Sequence, residues 1–337
     1  MIDNMRVGRA LKTLRKKAGY TQKELADKLF LSKMAISKWE NGKSIPDIGV
    51  LKRLSVLLDM DVEGLIDGTG TYLDDPWKGV LYLDTPEMIN AGTIIFDKPL
   101  IDYLVSYFIL AGVRNLLIVC TDQDRSYIKN RYGDGDTLGI CLRYQPMGIL
   151  DLDTILLNNE EWFRDSSLMV VPEPFFIYGV DLTRFMQRAM QYKDRVVNLV
   201  SVIGNADIGF SSKIPVDREE RSNTINYEYQ LIPMFFLCTD LIYKIGKQGS
   251  FYEFMNAAVS KKMMISEAMD KGYLVSGLSK EDDVRTVRSL VELIQKLCGC
   301  IIYCPLEIAW RRGMIDKEVM IKNAGSFAEY ESYIKSL

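Results

Sequence analysis

From Lys78 onward the chain alternates strand-like and helix-like runs, and this alternation restricts its fold more than any other feature. KGVLYL (78–83) is a compact apolar run, PLIDYLVSYFILAG (99–112) has the length and composition of a buried helix, and NLLIVCT (115–121) is strand-like again. The pattern continues through DQDRSYIKNRYG, GICLRYQ, SSLMVVPE, DLTRFMQRAMQY and RVVNLVSVIG. Parallel neighbours need a long crossover, usually a helix, so the order predicts an α/β unit with a largely parallel sheet between two helical layers. Sheets of this kind bind ligands beyond the carboxyl ends of their strands. The polar segments after Leu83 and Val171 are therefore the places where a site is expected.

The first seventy residues read differently. VGRALKTLRKK (7–17) sets Val7, Leu11 and Leu14 on one helical face among basic residues, and Gly19 ends that helix. Thr21 followed by Glu24 forms a capping box that opens TQKELADKLF, whose buried residues should be Leu25, Ala26 and Leu29. A tight turn at Phe30-Leu31 leads to Ser32, which caps SKMAISKWEN, and Gly42 closes it. Two short helices joined by a tight turn form a helix-turn-helix, and the second of them fits the DNA major groove. Trp39 is assigned to the helical core and Glu40 to a local ion pair.

The string TQKELADKLFLSKMAISKWENGKSIPD, with Ile36 apolar and Pro46 ahead of a fourth helix, resembles the Xre-type, phage-repressor-like DNA-binding family over about residues 5–67. That resemblance implies phosphate contacts from Gln22, Asn41 and Lys43. It also implies that Lys33, Met34, Ser37 and Lys38 meet base edges, with Ser32 at the start of the same interface. Lysine can donate to guanine acceptors and a methionine can lie against a thymine methyl. One such module makes few phosphate contacts and binds weakly at physiological salt, so a homodimer or higher homo-oligomer on a double-stranded operator is expected.

Charge divides the 337 residues in the same way. Residues 1–70 carry 13 Lys/Arg against 9 Asp/Glu, and the remainder 29 against 36, so a module of net +4 precedes a body of net −7. The break falls at GTGT (68–71) and DDP (74–76). The expected organisation is a helix-turn-helix domain over 1–68, a linker over 69–76 and a second domain over 77–337. No apolar run reaches about 18 residues and no leader pattern opens the chain, so no membrane association and a cytoplasmic location are expected.

Histidine is absent, which excludes Ser-His and Cys-His nucleophile chemistry. Of six cysteines, Cys298, Cys300 and Cys304 could offer thiolates to a metal with a fourth ligand from elsewhere. Ordinary buried cysteines and no metal are the expectation, because the six sit mostly in apolar runs. No cofactor is expected either.

A second resemblance rests on FDKPLI (96–101), LAGVRNLLIV (110–119), the Thr121 to Asp124 turn, GDG (133–135) and CPLEIAWRRGMID (304–316). The region 77–325 looks like the sugar-phosphate nucleotidyltransferases, which join a sugar 1-phosphate to a nucleoside triphosphate. The fold this implies is multidomain: an all-α helix-turn-helix domain followed by a three-layer, Rossmann-like α/β domain of nucleotidyltransferase type. Active members carry a glycine-rich loop ending in G-T-R-L, whose amides and arginine hold the triphosphate, then a lysine. Here that stretch is Asp84 to Ile94, shorter, without the arginine and with carboxylates at Asp84 and Glu87. The family's metal-binding G-D-N turn falls on Pro172-Glu173-Pro174, and its W-L-D-T-G-T stretch falls on VSGLSK (275–280). The base-binding segment survives only as Gln145-Pro146-Met147-Gly148, and the E-K-P segment has no clear counterpart in VDREERSNTINYEYQ.

Phosphoryl-type transfer is mostly positioning and electrostatics, so losing these parts together should leave no activity. The expected function is a transcriptional regulator whose second domain is an inactive homologue used for oligomerisation and for sensing a nucleotide sugar or sugar phosphate. Asp84, Glu87, Gln145, Gly148 and Glu173 would line its vestigial ligand site. The alternatives are an active nucleotidyltransferase with an appended DNA-binding domain, and a second domain that only dimerises.

Overall fold

The computed structural model describes residues 4–18, 20–58, 77–83, 89–147, 155, 159–163, 166–179, 181–203, 228–245, 251–269 and 272–337. The chain divides into two compact units, Met1–Asp75 and Pro76–Leu337. Gly19, the linker 69–76, Asp84, Glu87, Gly148 and most of the 216–230 stretch lie outside the described residues.

The first unit is helical: α1 (Asn4–Lys17), α2 (Gln22–Leu29), α3 (Lys33–Glu40) and α4 (Ile48–Leu57). Its core is Leu11, Leu14, Leu25, Ala26, Leu29, Ile36, Trp39, Val50, Leu51, Leu54 and Leu58. The capping box is present, with Glu24 N–H donating to Thr21 Oγ1 (3.2 Å) and Thr21 N–H to Glu24 Oε2 (2.7 Å). A Cβ at Gly8 would lie 2.2 Å from the Trp39 carbonyl oxygen, so only glycine lets α1 approach α3 this closely. Glu40 pairs far along the chain rather than locally: Arg15 Nε donates to its Oε1 (2.6 Å) and Arg15 Nη2 to its Oε2 (3.2 Å). Burial accounts for the difference, because an enclosed carboxylate needs a counter-charge that no residue in its own turn supplies.

The second unit is built on a seven-stranded sheet. Its strands are β1 (Trp77–Tyr82), β4 (Asn115–Cys120), β5 (Cys141–Pro146), β6 (Ser167–Val171), β8 (Val196–Ile203), β9 (Glu228–Cys238) and β10 (Met264–Met269), in the order β10-β8-β9-β6-β1-β4-β5. The pairs β6–β1, β1–β4, β4–β5 and β8–β10 are parallel, and β9 runs antiparallel to both β6 and β8. Two ribbons stand off the sheet, β2 (Ile94–Ile95) with β3 (Lys98–Pro99), and β7 (Phe175–Tyr178) with β11 (Leu274–Gly277).

Helices cover both faces, as the alternation predicts. One layer contains α5 (Leu100–Ala111), α7 (Leu182–Ala189), α10 (Glu281–Cys298) and α11 (Pro305–Arg311), with α6 (Asp122–Tyr132), α12 (Lys317–Asn323) and α13 (Glu331–Ser336) packed into the same core. The other contains a helical turn at Glu160–Phe163, α8 (Thr239–Ile245) and α9 (Phe251–Ser260). Inside the first layer Asp102 is fully buried and receives both Arg131 Nε and Nη2 at 2.6 Å, the Tyr132 hydroxyl at 2.5 Å and the Tyr330 hydroxyl at 3.1 Å. This network fastens α5, α6 and the chain terminus together. Burial works against the Arg131 charge, but the Asp102 bonds outweigh it and hold the guanidinium above its ordinary value.

The cysteines depart from expectation. Cys120 and Cys304 are buried, Cys238 and Cys300 half-buried, but Cys141 and Cys298 are exposed, because each stands at the end of its element, where the apolar run meets solvent.

Candidate functional site

The residues expected to form sites fall in two places, one in each unit. In the first unit, α3 is eight residues long, about 12 Å at 1.5 Å per residue, which suits a major groove. Ser32 is its N-cap, its Oγ accepting from Ala35 N–H at 3.2 Å. Lys33, Met34 and Lys38 are exposed, Met34 at 70%, and Ser37 is half-buried. Asn41 is exposed and its Nδ2 donates to the Ser37 carbonyl (2.8 Å) and Oγ (3.4 Å), which fixes both side chains at the end of the helix. Lys43 is exposed just beyond the Gly42 turn. Gln22 is half-buried and donates through Nε2 to Glu40 Oε2 at 2.8 Å. The structure thus gathers Ser32, Lys33, Met34, Ser37, Lys38 and Asn41 on one short helix and its two ends, while Gln22 is tied to the buried Arg15–Glu40 pair.

In the second unit, the place to examine is the carboxyl edge of β1, β4, β5 and β6. Asp84 and Glu87 are outside the described residues, but the other half of their loop is not. Four successive amides there are occupied internally. Asn90 N–H donates to Thr93 Oγ1 (2.9 Å), Ala91 N–H to Asp124 Oδ1 (2.8 Å), Gly92 N–H to Asn90 Oδ1 (2.9 Å) and Thr93 N–H to the Asn90 carbonyl (2.9 Å). A phosphate cradle needs unclaimed amides converging on one point. Here the Ala91 and Gly92 amides are taken by side-chain oxygens of Asp124 and Asn90. Asp124 is itself held at the start of α6, where its Oδ2 accepts from Thr121 Oγ1 at 2.7 Å.

The two stretches expected at the metal positions, 172–174 and 275–280, are adjacent. Leu278 N–H donates to the Pro174 carbonyl (3.3 Å), and the β7–β11 ribbon sets Gly277, Ser276 and Val275 opposite Phe175, Phe176 and Ile177. Glu173 is exposed between buried Pro172 and Pro174. Among the described residues no group of three or more Cys, Asp or Glu is placed to hold a metal ion. Gln145 is half-buried and its Oε1 accepts from Asn159 Nδ2 at 2.8 Å.

Behind this edge is a firm support. Ile177 N–H donates to the Tyr107 hydroxyl (3.2 Å), Tyr107 stacks on Phe175 with centroids 5.2 Å apart, and Tyr303 meets Tyr107 edge-on at 5.2 Å. Lys98 is wholly buried, bonded to both Asp97 oxygens at 2.9 Å and lying 4.4 Å from the centre of the Tyr103 ring. Burial pulls its ammonium below the ordinary value. Asp124 is the residue that sequence reading missed. Its T-x-x-D turn was visible, but its reach to an amide 33 residues earlier was not.

The comparisons agree with this two-part construction. The family described as helix-turn-helix matches residues 11–65, and the family described as nucleotidyl transferase matches residues 90–207. A glucose-1-phosphate thymidylyltransferase from Neisseria meningitidis is 24% identical over 292 residues, covering 81% of this chain and 97% of that one. A glucose-1-phosphate thymidylyltransferase from Mycobacterium tuberculosis is 23% identical over 261 residues, covering 72% and 89%. A crystal structure from Bacillus anthracis, assigned as a glucose-1-phosphate thymidylyltransferase and complexed with sucrose, has a TM-score of 0.50 at 10% identity, covering 64% of this chain and 94% of that one. That last likeness is one of fold. A helix-turn-helix domain and a nucleotidyltransferase-like domain are joined in one chain.

Proposed function

We propose that the protein is a transcriptional regulator that reads a double-stranded operator through α3, and that its nucleotidyltransferase-like domain has lost transfer activity. Lys33, Met34, Ser37 and Lys38 would read base edges, while Gln22, Asn41 and Lys43 would hold phosphates and Ser32 would set the start of the helix. The second domain would bring copies together, as a homodimer or larger assembly, and would bind a nucleotide sugar or sugar phosphate near Gln145 and Glu173, with Asp84, Glu87 and Gly148 as its further contacts. The domain division at 68 and 77 belongs to the same reading.

The observation that carries the inactive reading is the set of four claimed amides at Asn90 to Thr93. The pairing of Val275 to Gly277 with β7 next to Glu173 supports the same reading, since among the described residues it sets no second carboxylate beside Glu173. A transfer that depends on positioning and electrostatics needs both a triphosphate cradle and metal-binding oxygens.

A pyrophosphate-release assay with glucose 1-phosphate and nucleoside triphosphates should give no rate above buffer, and measurable turnover would establish the active-enzyme alternative instead. For sensing, a saturating nucleotide sugar at about 100 times Kd should raise stability by roughly 2.7 kcal/mol, so flat melting curves across a ligand panel would refute that part. The effector must also favour one DNA-binding arrangement over another. For the DNA reading, Lys33→Ala and Lys38→Ala should each cost about 1–3 kcal/mol of discrimination between operator and non-operator duplex. Unchanged operator preference would show that α3 does not read the bases.

A further inference from the structure

The longest helix among the described residues, α10, ends at Cys298 and is followed by Gly299 and Cys300. Cys298 is the last helical residue and is exposed, and Cys300 is half-buried. Gly299 between them is left-handed at φ 64° and ψ 24°, and its N–H donates to the Gln295 carbonyl at 2.9 Å. Two Cα atoms separated by two trans peptide bonds are at most about 7 Å apart. The left-handed turn folds them closer, into the range that a disulfide spans.

Exposure assigns different roles to the two sulfurs, because Cys298 is open to solvent and Cys300 is half-buried. Burial, and then the neighbouring Cys298, push the Cys300 thiol above its ordinary value, and exposed Cys298 is the sulfur that a small disulfide reaches first. Cys304 is buried, and burial pushes it up to about 12, which excludes it as an early nucleophile.

We infer that Cys298 and Cys300 form a reversible dithiol–disulfide site, with exposed Cys298 as the attacking thiol and Cys300 as the resolving thiol. The co-reactant is a low-molecular-weight disulfide, RSSR. Cys298 thiolate attacks one sulfur of RSSR, which forms a mixed disulfide and releases one RS⁻. Cys300 then attacks the Cys298 sulfur, the second RS⁻ leaves, and the protons of the two protein thiols end on the two released thiols. The sum is one dithiol and RSSR converted to one protein disulfide and two RSH. An exposed disulfide closed through a tight turn is of the labile kind that equilibrates with a thiol pool.

The position gives such a change a consequence. Gln295 Oε1 accepts from Ile302 N–H (2.9 Å) and its Nε2 donates to Asp97 Oδ2 (3.2 Å), so the turn is tied to the β2–β3 ribbon. Tyr303, three residues past Cys300, packs on Tyr107 and Phe176 behind the Glu173 edge.

The test uses the reduced full-length protein in buffers of oxidised and reduced glutathione, quenched by alkylation and mapped by tandem mass spectrometry of the 297–311 segment. Wild type should close Cys298 to Cys300 with Cys304 alkylated. Cys300→Ser should accumulate a stable glutathione adduct on Cys298, and Cys298→Ser should react at least tenfold more slowly at Cys300. A lasting Cys298 adduct in wild type, a bond to Cys304, or equal reactivity of Cys298→Ser would overturn the assignment. These readouts do not depend on DNA binding or on transfer activity.

Discussion

Replacing Glu40 by alanine should destabilise the helix-turn-helix unit by about 3–5 kcal/mol. An exposed ion pair is worth only about 0–1 kcal/mol, so burial decides the size of the effect. Here the Arg15 side chain is 9% exposed and the Glu40 side chain 2%, joined at 2.6 Å. Without Glu40 the guanidinium keeps only the Tyr20 carbonyl, at 2.6 Å, and Gln22 Nε2 loses its acceptor too. A unit of this size commands roughly 3–5 kcal/mol in total. The variant should therefore be largely unfolded in its first unit at room temperature while the second unit is intact. Glu40→Gln keeps the volume and one acceptor and should cost about 2 kcal/mol. Removing both charges, with Arg15→Met and Glu40→Leu, should be near neutral or stabilising by about 1–4 kcal/mol, because the desolvation cost of both ions disappears. Urea unfolding of the full chain, with hydrogen exchange at α1 to α3 amides as the local probe, measures all three. A cost below about 1 kcal/mol for Glu40→Ala, or a double variant no better than the single one, would refute the buried-pair reasoning.

Phe30 is 90% exposed in the left-handed region at φ 57°, a conformation that costs an L-residue about 1–2 kcal/mol, less about 0.4–1 kcal/mol that glycine loses through its unfolded state. Phe30→Gly should therefore raise the melting temperature of the first unit, and a fall would mean that the ring has a partner. Asp102→Asn leaves Arg131 without its buried counter-charge and should cost the second unit about 3–5 kcal/mol, with faster exchange across residues 327–337; a change under about 1 kcal/mol would sink the latch. Glu24 is held below the usual carboxylate value by its backbone and side-chain bonds to Thr21. Its contribution is complete above the unfolded pKa and is lost as pH falls through the lower folded one, so an NMR titration should find it titrating below a free glutamate, and Glu24→Gln should flatten the acid limb of stability.

What the sequence disclosed was what depends on neighbours along the chain. Thr21 with Glu24, and Ser32 ahead of Ala35, are local caps, and the alternating runs from β1 to β8 each carry their own periodicity. What it withheld depends on distance. The direction of β9 cannot be read from EYQLIPMFFLC, because a strand buried on both faces looks the same either way round. Glu40 finds Arg15 across 25 residues, and Tyr330 reaches Asp102 across 228.

The loop after β1 makes the same point about chemistry. Missing glycines and a missing arginine are visible as letters, and they suggest that a phosphate cradle has been lost. They do not tell whether the remaining backbone could still serve. In the described half of the loop that backbone is engaged, because Asp124 Oδ1 lies 2.8 Å from the Ala91 nitrogen and Asn90 Oδ1 lies 2.9 Å from the Gly92 nitrogen. An anionic ligand would have to displace a carboxylate anchored at the start of α6 before it met those amides. Restoring the arginine alone would bring a cation to a loop whose donors are still claimed. On the proposed reading, the obstacle to a triphosphate is therefore a replacement as well as a loss, because the oxygen that claims Ala91 N–H belongs to Asp124 in α6.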